Sequence, residues 1–543
     1  MAESEVILVM PYPFSDHPSF PEALLKRSLE QDGFKVGLLE CPDWQNPDSF
    51  RKSAKPSLCF AVVPGPVDSL VLNYTSSGKR RNEDLYQFQG RAFFPGAPAS
   101  IKSKIRPDRT LIVFANRLRQ AWKEVPIIIG GIEASLRRFA HYDFHDRAVR
   151  RSILLDSRAD LLVSGMGELP LLEICRGLRA GKSAGSIRFP GLTWISREAP
   201  LDRETVFIPS FEEVSRDSLT FLKAQERIEQ ACRAGRQVCQ PHAGRYLVSA
   251  PAWKPTGDEL DRIYGLAYQR RHPNGIGKTP ALAMNLFSVT SHRGCRGACR
   301  FCALAAHQGS RVISRSPESI LEEIRKLGKQ PDWKGIVTDV GGPSADMYGK
   351  GCCPEQACLE GVACPIEAGL KPYIDLLSRA RRVHGVKKVL VGSGMRYESF
   401  IGHPEALREI LSAHCGAYLR VAPEHTENRV LELMNKGDWE QFREFATMFN
   451  RINETLARPV QLRPYLIVGH PGESRADVRQ MKKKLAALGI HQADVQVFTP
   501  TPGTMASAMH LAGKNPAGTE IEVSADFREG VRRKEMLREF FSS

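Results

Sequence analysis

The chain has 543 residues, of which 42% are hydrophobic and 25% are charged, and its net charge is +15 at pH 7. That length is too great for one ordinary core and predicts two or three domains of a soluble globular protein. No apolar run is long enough to span a bilayer, and the start MAESEVILVMPYPF has neither the basic nor the apolar region of a secretory signal. We therefore expect a cytoplasmic protein without a membrane partner, whose 13 cysteines are reduced thiols or metal ligands rather than disulfides.

The N-terminal half alternates apolar, strand-like runs with helical patterns. Val6–Met10 predicts a strand that ends in a Pro-rich loop, and Pro21–Gly33 predicts an amphipathic helix. Further strand-like runs are FKVGLLE, CFAVV, PIIIGG and ADLLVSG. This alternation is typical of parallel βαβ units in a Rossmann-like α/β domain, whose ligands bind beyond the carboxyl ends of the strands. We place this domain, with a connecting segment, at residues 1–275.

Several polar residues follow the predicted strands of this domain, where a ligand would bind. They are Asp16, His17, Glu133, Arg137, Arg138, His141 and His145. They are candidates for a polar pocket, and the alternative is that each is an ordinary surface or ion-paired residue.

The second half repeats strand and helix more regularly. Six candidate strands end at LFSVTSHRG, GIVTDVGGPS, KVLVGSGMR, AYLRVAPEH, QLRPYLIVGHPGE and ADVQVFTPTPG, with helical patterns such as Pro317–Gly328 between them. Six βα units in series predict a partial (βα)6 barrel of the TIM type at residues 276–512, with its active face at the carboxyl ends of the strands. Residues 513–543 end in a charged helical pattern and predict a short C-terminal helical tail.

A group of three cysteines lies at the end of the first barrel strand. Cys295, Cys299 and Cys302 fall within eight residues, whereas a structural zinc site or a ferredoxin cluster uses four protein ligands. Three thiolates on a 4Fe-4S cluster leave one iron open, and an open metal position is what catalysis requires. Zinc binding and buried thiols without a metal are the alternatives.

The spacing Cys-x3-Cys-x2-Cys, with the aromatic Phe301 directly before the last cysteine, resembles the radical S-adenosylmethionine (SAM) superfamily. The resemblance implies that the three cysteines hold a 4Fe-4S cluster and that SAM chelates the fourth iron. It also implies reductive cleavage of SAM to a 5′-deoxyadenosyl radical, with an electron donor such as flavodoxin or ferredoxin. Whether SAM is consumed or regenerated is left open.

Four later segments resemble the SAM-binding strand ends of that superfamily. DVGGPSADM resembles the motif that binds the methionyl amino group through backbone carbonyls, although a tight turn is the simpler interpretation. VAPEHTENRV has a glutamate where the superfamily often has a glutamine facing the ribose or the methionyl group. YLIVGHPGES resembles the glycine turn that approaches adenine, and QVFTPTPGT resembles the sixth strand end. The residues that the resemblance places against SAM are Phe301, Gly341, Gly342, Pro343, Glu424, Gly469 and Gly472.

Three longer segments narrow the resemblance to the YgiQ family of radical SAM proteins, over nearly the whole chain. They are Ser15–Phe20, Ile127–Glu168 and Cys295–Ser316. The reaction of that family is not assigned, so the resemblance implies a fold and cofactors without a substrate.

Two other features bear on additional cofactors. The loop that contains Cys352, Cys353, Cys358 and Cys364 could bind a second iron–sulfur cluster or zinc, and the alternative is cysteines that merely pack.

GGIEAS resembles a loop of B12-binding domains, but DFHDRA lacks the glycine of the Asp-x-His-x-x-Gly segment that ligates cobalt. This difference argues against cobalamin and favours a degenerate or substrate-facing domain.

The sequence therefore predicts a radical SAM enzyme that acts on an unknown substrate. One alternative is an RNA-modifying enzyme similar to methylthiotransferases, because the positive charge keeps nucleic acid open as a partner. The other alternative is an iron–sulfur electron carrier or sensor without catalytic activity. The catalytic side chains and the oligomeric state are not predicted.

Overall fold

The computed structural model describes residues 4–98, 100–275, 277–349, 370–524 and 526–542. The chain forms two compact units, each with its own hydrophobic core. Unit 1 comprises Met1–Lys254, Arg262–Leu286 and Thr501–Thr504, and unit 2 comprises Pro255–Asp261, Phe287–Pro500 and Met505–Ser543. Within the described ranges, no helix is long and apolar enough to cross a lipid bilayer.

Unit 1 is organised around one large sheet. Its strands are β1 Val6–Met10, β2 Val36–Glu40, β3 Cys59–Val62, β4 Ile127–Ile129, β5 His141–Asp143, β6 Ala148–Arg150, β7 Leu161–Val163, β8 Leu192–Ser196, β9 Val206–Phe207, β10 Val238–His242 and β11 Arg245–Ser249. Nine of them form the sheet in the order β2-β1-β3-β4-β7-β8-β11-β10-β9, and β5 and β6 form a separate hairpin. The pairs from β2 to β7 are parallel, whereas β8 and β11 pair antiparallel with their neighbours.

The first strand shows why this sheet is the middle of three layers. Val6, Leu8 and Met10 belong to one buried core, and Ile7 and Val9 belong to another. Because successive side chains of a strand point to opposite faces, both faces of the sheet are covered. The predicted Rossmann-like α/β domain is confirmed.

Most helices of this part of the chain lie between the strands of the sheet, and the last two follow its last strand. The helices up to residue 286 are α1 Pro21–Gln31, α2 Ser69–Asn73, α3 Thr110–Ala121, α4 Gly131–Leu136, α5 Ile153–Ser157, α6 Glu168–Arg179, α7 Phe211–Arg216, α8 Ser218–Arg233, α9 Gly257–Gly265 and α10 Pro280–Asn285. The predicted helix at Pro21–Gly33 is present as α1, with proline at its first position.

Unit 2 has short strands alternating with helices. Its strands are β12 Ser288–Thr290, β13 His292–Arg293, β14 Ile313–Ser314, β15 Ile336–Val337, β16 Asp339–Gly341, β17 Lys388–Val389, β18 Tyr418–Glu424, β19 Gln461–Val468 and β20 Asp494–Val497. Its helices are α11 Ala303–Gln308, α12 Pro317–Leu327, α13 Leu370–Arg381, α14 Pro404–Glu409, α15 Asn428–Met434, α16 Trp439–Asn453, α17 Arg475–Ala487, α18 Met505–Ala512 and α19 Phe527–Ser542.

Parallel pairings join six successive strand positions of unit 2. β12 pairs with β16, and β15, on the same chain path as β16, pairs with β17. A parallel bridge between Met395 and Val421 links the segment after β17 to β18, and β19 and β20 follow in the same direction. This series confirms the predicted partial (βα)6 barrel.

An aromatic group on α16 fixes the segment that follows β17. Phe442, Phe445 and Phe449 lie three and four residues apart on one helix face, and all three are buried. The ring of Tyr397 packs with centroid distances of 5.2 Å from Phe442 and 5.9 Å from Phe445. The neighbouring Arg396 is therefore held on a rigid part of the barrel.

Candidate active site

The three cysteines lie in a loop that a short antiparallel ladder closes. β13 pairs with β14, and Cys295 N donates to Gly309 O at 3.2 Å, so the two ends of the loop are held together. Gly294 has φ +82°, and a Cβ at this position would overlap the carbonyl oxygen of Arg311. All three thiols are half-buried, and α11, which follows Cys302, has no buried residue. The loop thus presents its cysteines at a partly open surface.

Gly297 lies between two of the thiols. A Cβ at Gly297 would lie 3.4 Å from Cys295 Sγ, 3.6 Å from Cys299 Sγ and 2.5 Å from Arg396 Nη1. Only glycine leaves room for two sulfurs and a guanidinium at this point. Burial raises the pKa of the Cys295 thiol, and it raises the pKa of the Cys302 thiol to about 11.

The donor set fits a cluster better than a single ion. Within the described ranges, no three His, Cys, Asp or Glu side chains converge on one point as a mononuclear metal would require. In a cubane each cysteine binds a different iron, so the thiols surround a volume rather than a point. Two soft sulfur donors beside a glycine that leaves space between them, with the Cys302 thiol near both, fit a 4Fe-4S cluster.

A second strand end lies beside the loop. Gly342 follows β16, and its Cβ would lie 2.6 Å from the His292 imidazole, so a side chain does not fit there. The Gly341 carbonyl accepts hydrogen bonds from both Ser291 N, at 2.8 Å, and Ser291 Oγ, at 3.2 Å. Of the three predicted carbonyls, those of Gly342 and Pro343 are thus the ones left to bind a ligand.

The buried carboxylate of Asp346 joins this strand end to the next. Its Oδ1 accepts from Arg396 N at 3.0 Å and from Ser344 Oγ at 2.5 Å, and its Oδ2 accepts from Ser399 Oγ at 2.5 Å. The loops after β16 and after β17 are therefore held together by one side chain.

Arg396 brings a fixed positive charge to the cysteines. Burial alone would lower the pKa of its guanidinium, but the Glu398 carboxylate and the Cys299 thiol raise it above the ordinary value. Arg396 Nη2 donates to Glu398 Oε1 at 2.9 Å. Arg396 Nε and Glu398 Oε2 are buried and have no hydrogen-bond partner in the part of the chain that the structure describes. Sequence reasoning did not single out this arginine.

Glu424 ends β18 in an unusual conformation. It has φ +67°, in the left-handed region, and the pairing register with β19 shifts between Val421 and Glu424. Such a bulge redirects a side chain, and strained backbone of this kind is concentrated at functional sites. Burial raises the pKa of Glu424 above its ordinary value, and the positive charge of Lys436 opposes this effect.

The turn after β19 carries the two predicted glycines and a buried histidine. Gly469 and Gly472 have φ +79° and +91°. The His470 ring packs edge-on against Phe301 and Phe498, with centroid distances of 6.1 Å and 5.1 Å. The predicted residues Phe301 and Gly469 are thus brought together around His470, which sequence reasoning missed although it lies within GHPGE.

His470 offers a hydrogen-bond acceptor in an apolar setting. Burial lowers its pKa to about 3, so the ring is neutral. Its Nδ1 lies 2.9 Å from Pro471 O, which can only accept, so the proton is on Nδ1 and Nε2 is an acceptor. This Nε2 is buried and has no partner among the described residues.

The polar candidates of unit 1 have two sets of partners. Asp16 accepts from Arg27 and from Gln269 N, and the neighbouring His17 Nε2 lies 2.7 Å from Arg270 Nη1. The second set involves the segment that follows β4, where Glu133 is fully buried.

The Glu133 carboxylate stabilises the N-terminal turns of α2 and α3, because it accepts from Ser69 N and Leu111 N at 3.1 Å. Arg137 forms a buried ion pair with Asp68. Arg138 donates to Ser135 O at 2.6 Å, and burial lowers the pKa of His141 to about 3. The ring of His145 packs against Tyr74. For Glu133 and Arg137 these contacts favour a structural interpretation over a ligand pocket.

The cysteine-rich loop of the sequence lies outside the described residues. The prediction of a second metal at Cys352, Cys353, Cys358 and Cys364 therefore stays a prediction.

Comparison with known proteins places the chain among radical SAM proteins. The family model "Radical SAM N-terminal" matches residues 1–288, and the "Radical SAM superfamily" model matches residues 289–485. A UPF0313 protein of Methanosarcina mazei is 38% identical, over 98% of this chain and 92% of its own length. A UPF0313 protein of Methanocella arvoryzae is 39% identical, over 98% of this chain and 90% of its own.

Two solved structures of TsrM, a radical SAM methyltransferase from Kitasatospora setae, have a similar fold. The one with tryptophan and the SAM analogue aza-SAM has a TM-score of 0.54 at 14% identity, over 98% of this chain and 88% of TsrM. The one with cobalamin and a [4Fe-4S] cluster has a TM-score of 0.52 at 14% identity, over 94% and 78%. At this identity the likeness concerns the fold alone.

The cysteine loop provides a stability prediction. In Gly294→Ala the new Cβ meets the Arg311 carbonyl in a left-handed conformation, so we expect the free energy of unfolding to fall by more than about 1 kcal/mol. Gly394→Ala is the control, because nothing lies within 4 Å of a Cβ there. Denaturant unfolding measures both, and equal stability of the two variants would contradict the described loop.

Proposed function

Because the chain belongs to the UPF0313 family of radical SAM proteins, which includes YgiQ, we propose that it cleaves SAM reductively to make a radical that acts on a second substrate. That it is a radical SAM enzyme of unassigned reaction follows from the family. A 4Fe-4S cluster and SAM are the cofactors of that superfamily. We propose which residues of this chain hold the cluster and SAM.

One observation carries the proposal: the thiols of Cys295 and Cys299 flank Gly297, and the Cys302 thiol lies close enough to both for their charges to act on it. In the proposal Cys295, Cys299 and Cys302 hold the cluster, each through a different iron. The cluster supplies the electron that breaks the sulfonium bond of SAM. Because burial raises the pKa values of two of the thiols, binding of iron has to displace their protons, and the guanidinium of Arg396 offsets the thiolate charge.

The methionyl end of SAM needs partners of both charges. In the proposal its amino group binds to the carbonyls of Gly342 and Pro343, since Ser291 already occupies that of Gly341. Its carboxylate binds to the Nε of Arg396, which is buried beside the cysteines and lacks a described partner. A charge-assisted bond of this kind is stronger than a neutral one.

The adenosine end has an acceptor and an aromatic wall. Glu424, re-aimed by its bulge, is assigned to the ribose hydroxyls. The adenine ring is assigned to the Gly469–Gly472 turn beside Phe301, with its exocyclic amine donating to His470 Nε2. An amine matches that nitrogen, because a neutral ring with its proton on Nδ1 can only accept there.

Cobalamin is not part of the proposal. TsrM has a similar fold and was solved with cobalamin, but at 14% identity this does not assign the ligand to our chain. The missing glycine in DFHDRA argues against a cobalt ligand in that segment.

Iron and SAM turnover test the cluster assignment. Anaerobically reconstituted protein reduced with dithionite is expected to release 5′-deoxyadenosine and methionine, whereas an electron carrier yields neither. Cys299→Ala is expected to lose the bound iron and this activity while keeping its circular dichroism spectrum. Cys232→Ala, which alters an exposed thiol of unit 1, serves as control and keeps both. Full iron content in Cys299→Ala would refute the assignment.

His470→Phe tests the adenine assignment. Phenylalanine retains the packing against Phe301 and Phe498 but removes the acceptor, so we expect SAM to bind roughly tenfold more weakly, or about 1.4 kcal/mol. S-inosylmethionine has a carbonyl in place of the exocyclic amine and cannot donate to Nε2, so its affinity is expected not to fall in the variant. Equal SAM affinity of both proteins speaks against the contact.

Glu424→Gln provides a pH test. Since burial raises the pKa of Glu424, its folded state favours the protonated carboxyl, and stability is lost as pH rises through the raised pKa. The neutral glutamine avoids this loss, so we expect the variant to be more stable than wild type at pH 8 and equal to it below the ordinary glutamate pKa of 4.5. Thermal unfolding across this range measures it, and a pH-independent difference would contradict the prediction.

A further inference from the structure

Three charged or polar side chains of unit 2 form a buried chain from one strand end to the C-terminal helix. His425 Nε2 lies 3.1 Å from Glu473 Oε2, and Arg533 Nη1 donates to Glu473 Oε1 at 3.0 Å and to Glu473 O at 2.7 Å. The side chains of His425 and Glu473 are 0% exposed, and that of Arg533 is 4% exposed. A buried carboxylate requires this kind of pairing.

The hydrogen bond at His425 Nδ1 shows which ring nitrogen carries the proton. Glu427 N donates to His425 Nδ1 at 3.0 Å, so Nδ1 is an acceptor and the neutral ring carries its proton on Nε2. His425 therefore donates to Glu473. Gly469 N also donates to Glu473 Oε1, at 2.7 Å. The one carboxylate thus binds the residue after Glu424, the glycine turn and the C-terminal helix.

The helix itself lies directly on the glycine turn. A Cβ at Gly469 would come within 3.6 Å of Gly530 Cα on α19, and a Cβ at Gly530 would overlap the side chain of Val497 on β20. The segment before α19 makes a second contact with the glycine turn, because Gly472 N donates to Glu522 O at 2.7 Å. Arg533 Nη2 reaches back to the carboxylate of the same Glu522, at 3.1 Å.

Arg533 is the only full positive charge that this chain of contacts gives to Glu473 in the described structure. Gly469 N and neutral His425 are dipoles, and they hold a carboxylate less firmly than a guanidinium with two bonds to the same residue. Without Arg533, a charged carboxylate would stay buried with neutral donors alone, or it would take up a proton. In either case the carboxylate holds the turn and His425 less firmly.

We propose that Arg533 is a positioning residue for the SAM site, acting from the C-terminal helix through Glu473. Its charge fixes the carboxylate that holds the Gly469 turn against adenine and, through His425, the strand end that carries Glu424. The proposal rests on the function proposed above for that turn and strand end. The C-terminal helix then helps to position the residues that bind SAM.

The test compares Arg533→Gln, Arg533→Lys and, as a matched control, Arg532→Gln, whose side chain is 57% exposed on the same helix. For cluster-loaded proteins the iron content and the dissociation constant of SAM are measured under anaerobic conditions. We expect full iron in all three, SAM binding at least tenfold weaker in Arg533→Gln, an intermediate loss in Arg533→Lys, and wild-type binding in Arg532→Gln. Lysine keeps the charge but lacks the planar guanidinium that binds the Glu473 carboxylate, the Glu473 carbonyl and the Glu522 carboxylate together.

Hydrogen exchange of the cluster-free proteins gives a readout that needs no activity. Amides of residues 469–474 are expected to exchange faster in Arg533→Gln than in Arg532→Gln. Wild-type SAM affinity in Arg533→Gln overturns the proposal, and so does a loss of iron equal to the loss of SAM binding. If Arg533→Gln does not fold, Arg533→Lys decides alone by the same two measurements. Wild-type protein that fails to cleave SAM would instead overturn the proposed function.

Discussion

The parallel pairing of the barrel strands is the constraint on which the candidate site depends. Every strand from β12 to β20 on the barrel path runs in the same direction, so loops far apart in sequence end on one side of the unit. This direction brings the cysteine loop, Gly342, Arg396, Glu424 and His470 into one region. A single antiparallel strand would send one of these groups to the opposite end.

Carboxylates at the strand ends make that convergence rigid. Asp339 accepts from Gly392 N and Ser393 N, Asp346 accepts from Arg396 N, and Glu473 accepts from Gly469 N. Asp339 and Asp346 each tie one strand-end loop to the next through a backbone N–H, whereas Glu473 closes its own turn and reaches other elements through His425 and Arg533. Such groups are costly to bury and are stable only when their donors are all in place, so a loop cannot move without breaking a charged hydrogen bond.

The strands, the helices and the cysteine loop could be predicted because they depend on local patterns. An unbroken apolar run defines β1, and the short cysteine spacing defines the loop. Arg396 and Arg533 could not be found this way, since their partners Asp346 and Glu473 lie 50 and 60 residues away. Glu133 was predicted as a pocket residue because it is polar and follows a strand. Only the fold shows that its carboxylate binds the N-terminal turns of two helices.

The chemical nature of the unsatisfied atoms, rather than their presence alone, favours the barrel loops over the polar loops of unit 1, where Arg137 Nε is also buried without a partner among the described residues. Glu133 and Arg137 use their charges on Ser69, Leu111 and Asp68, and their ligands are part of the fold. Around the cysteines, Arg396 Nε and His470 Nε2 are buried without a partner in the described residues. Each such atom costs about 1–3 kcal/mol. A donor beside the thiols and an acceptor beside an aromatic ring are complementary to the carboxylate and the amine at the two ends of SAM, and binding it would recover this cost.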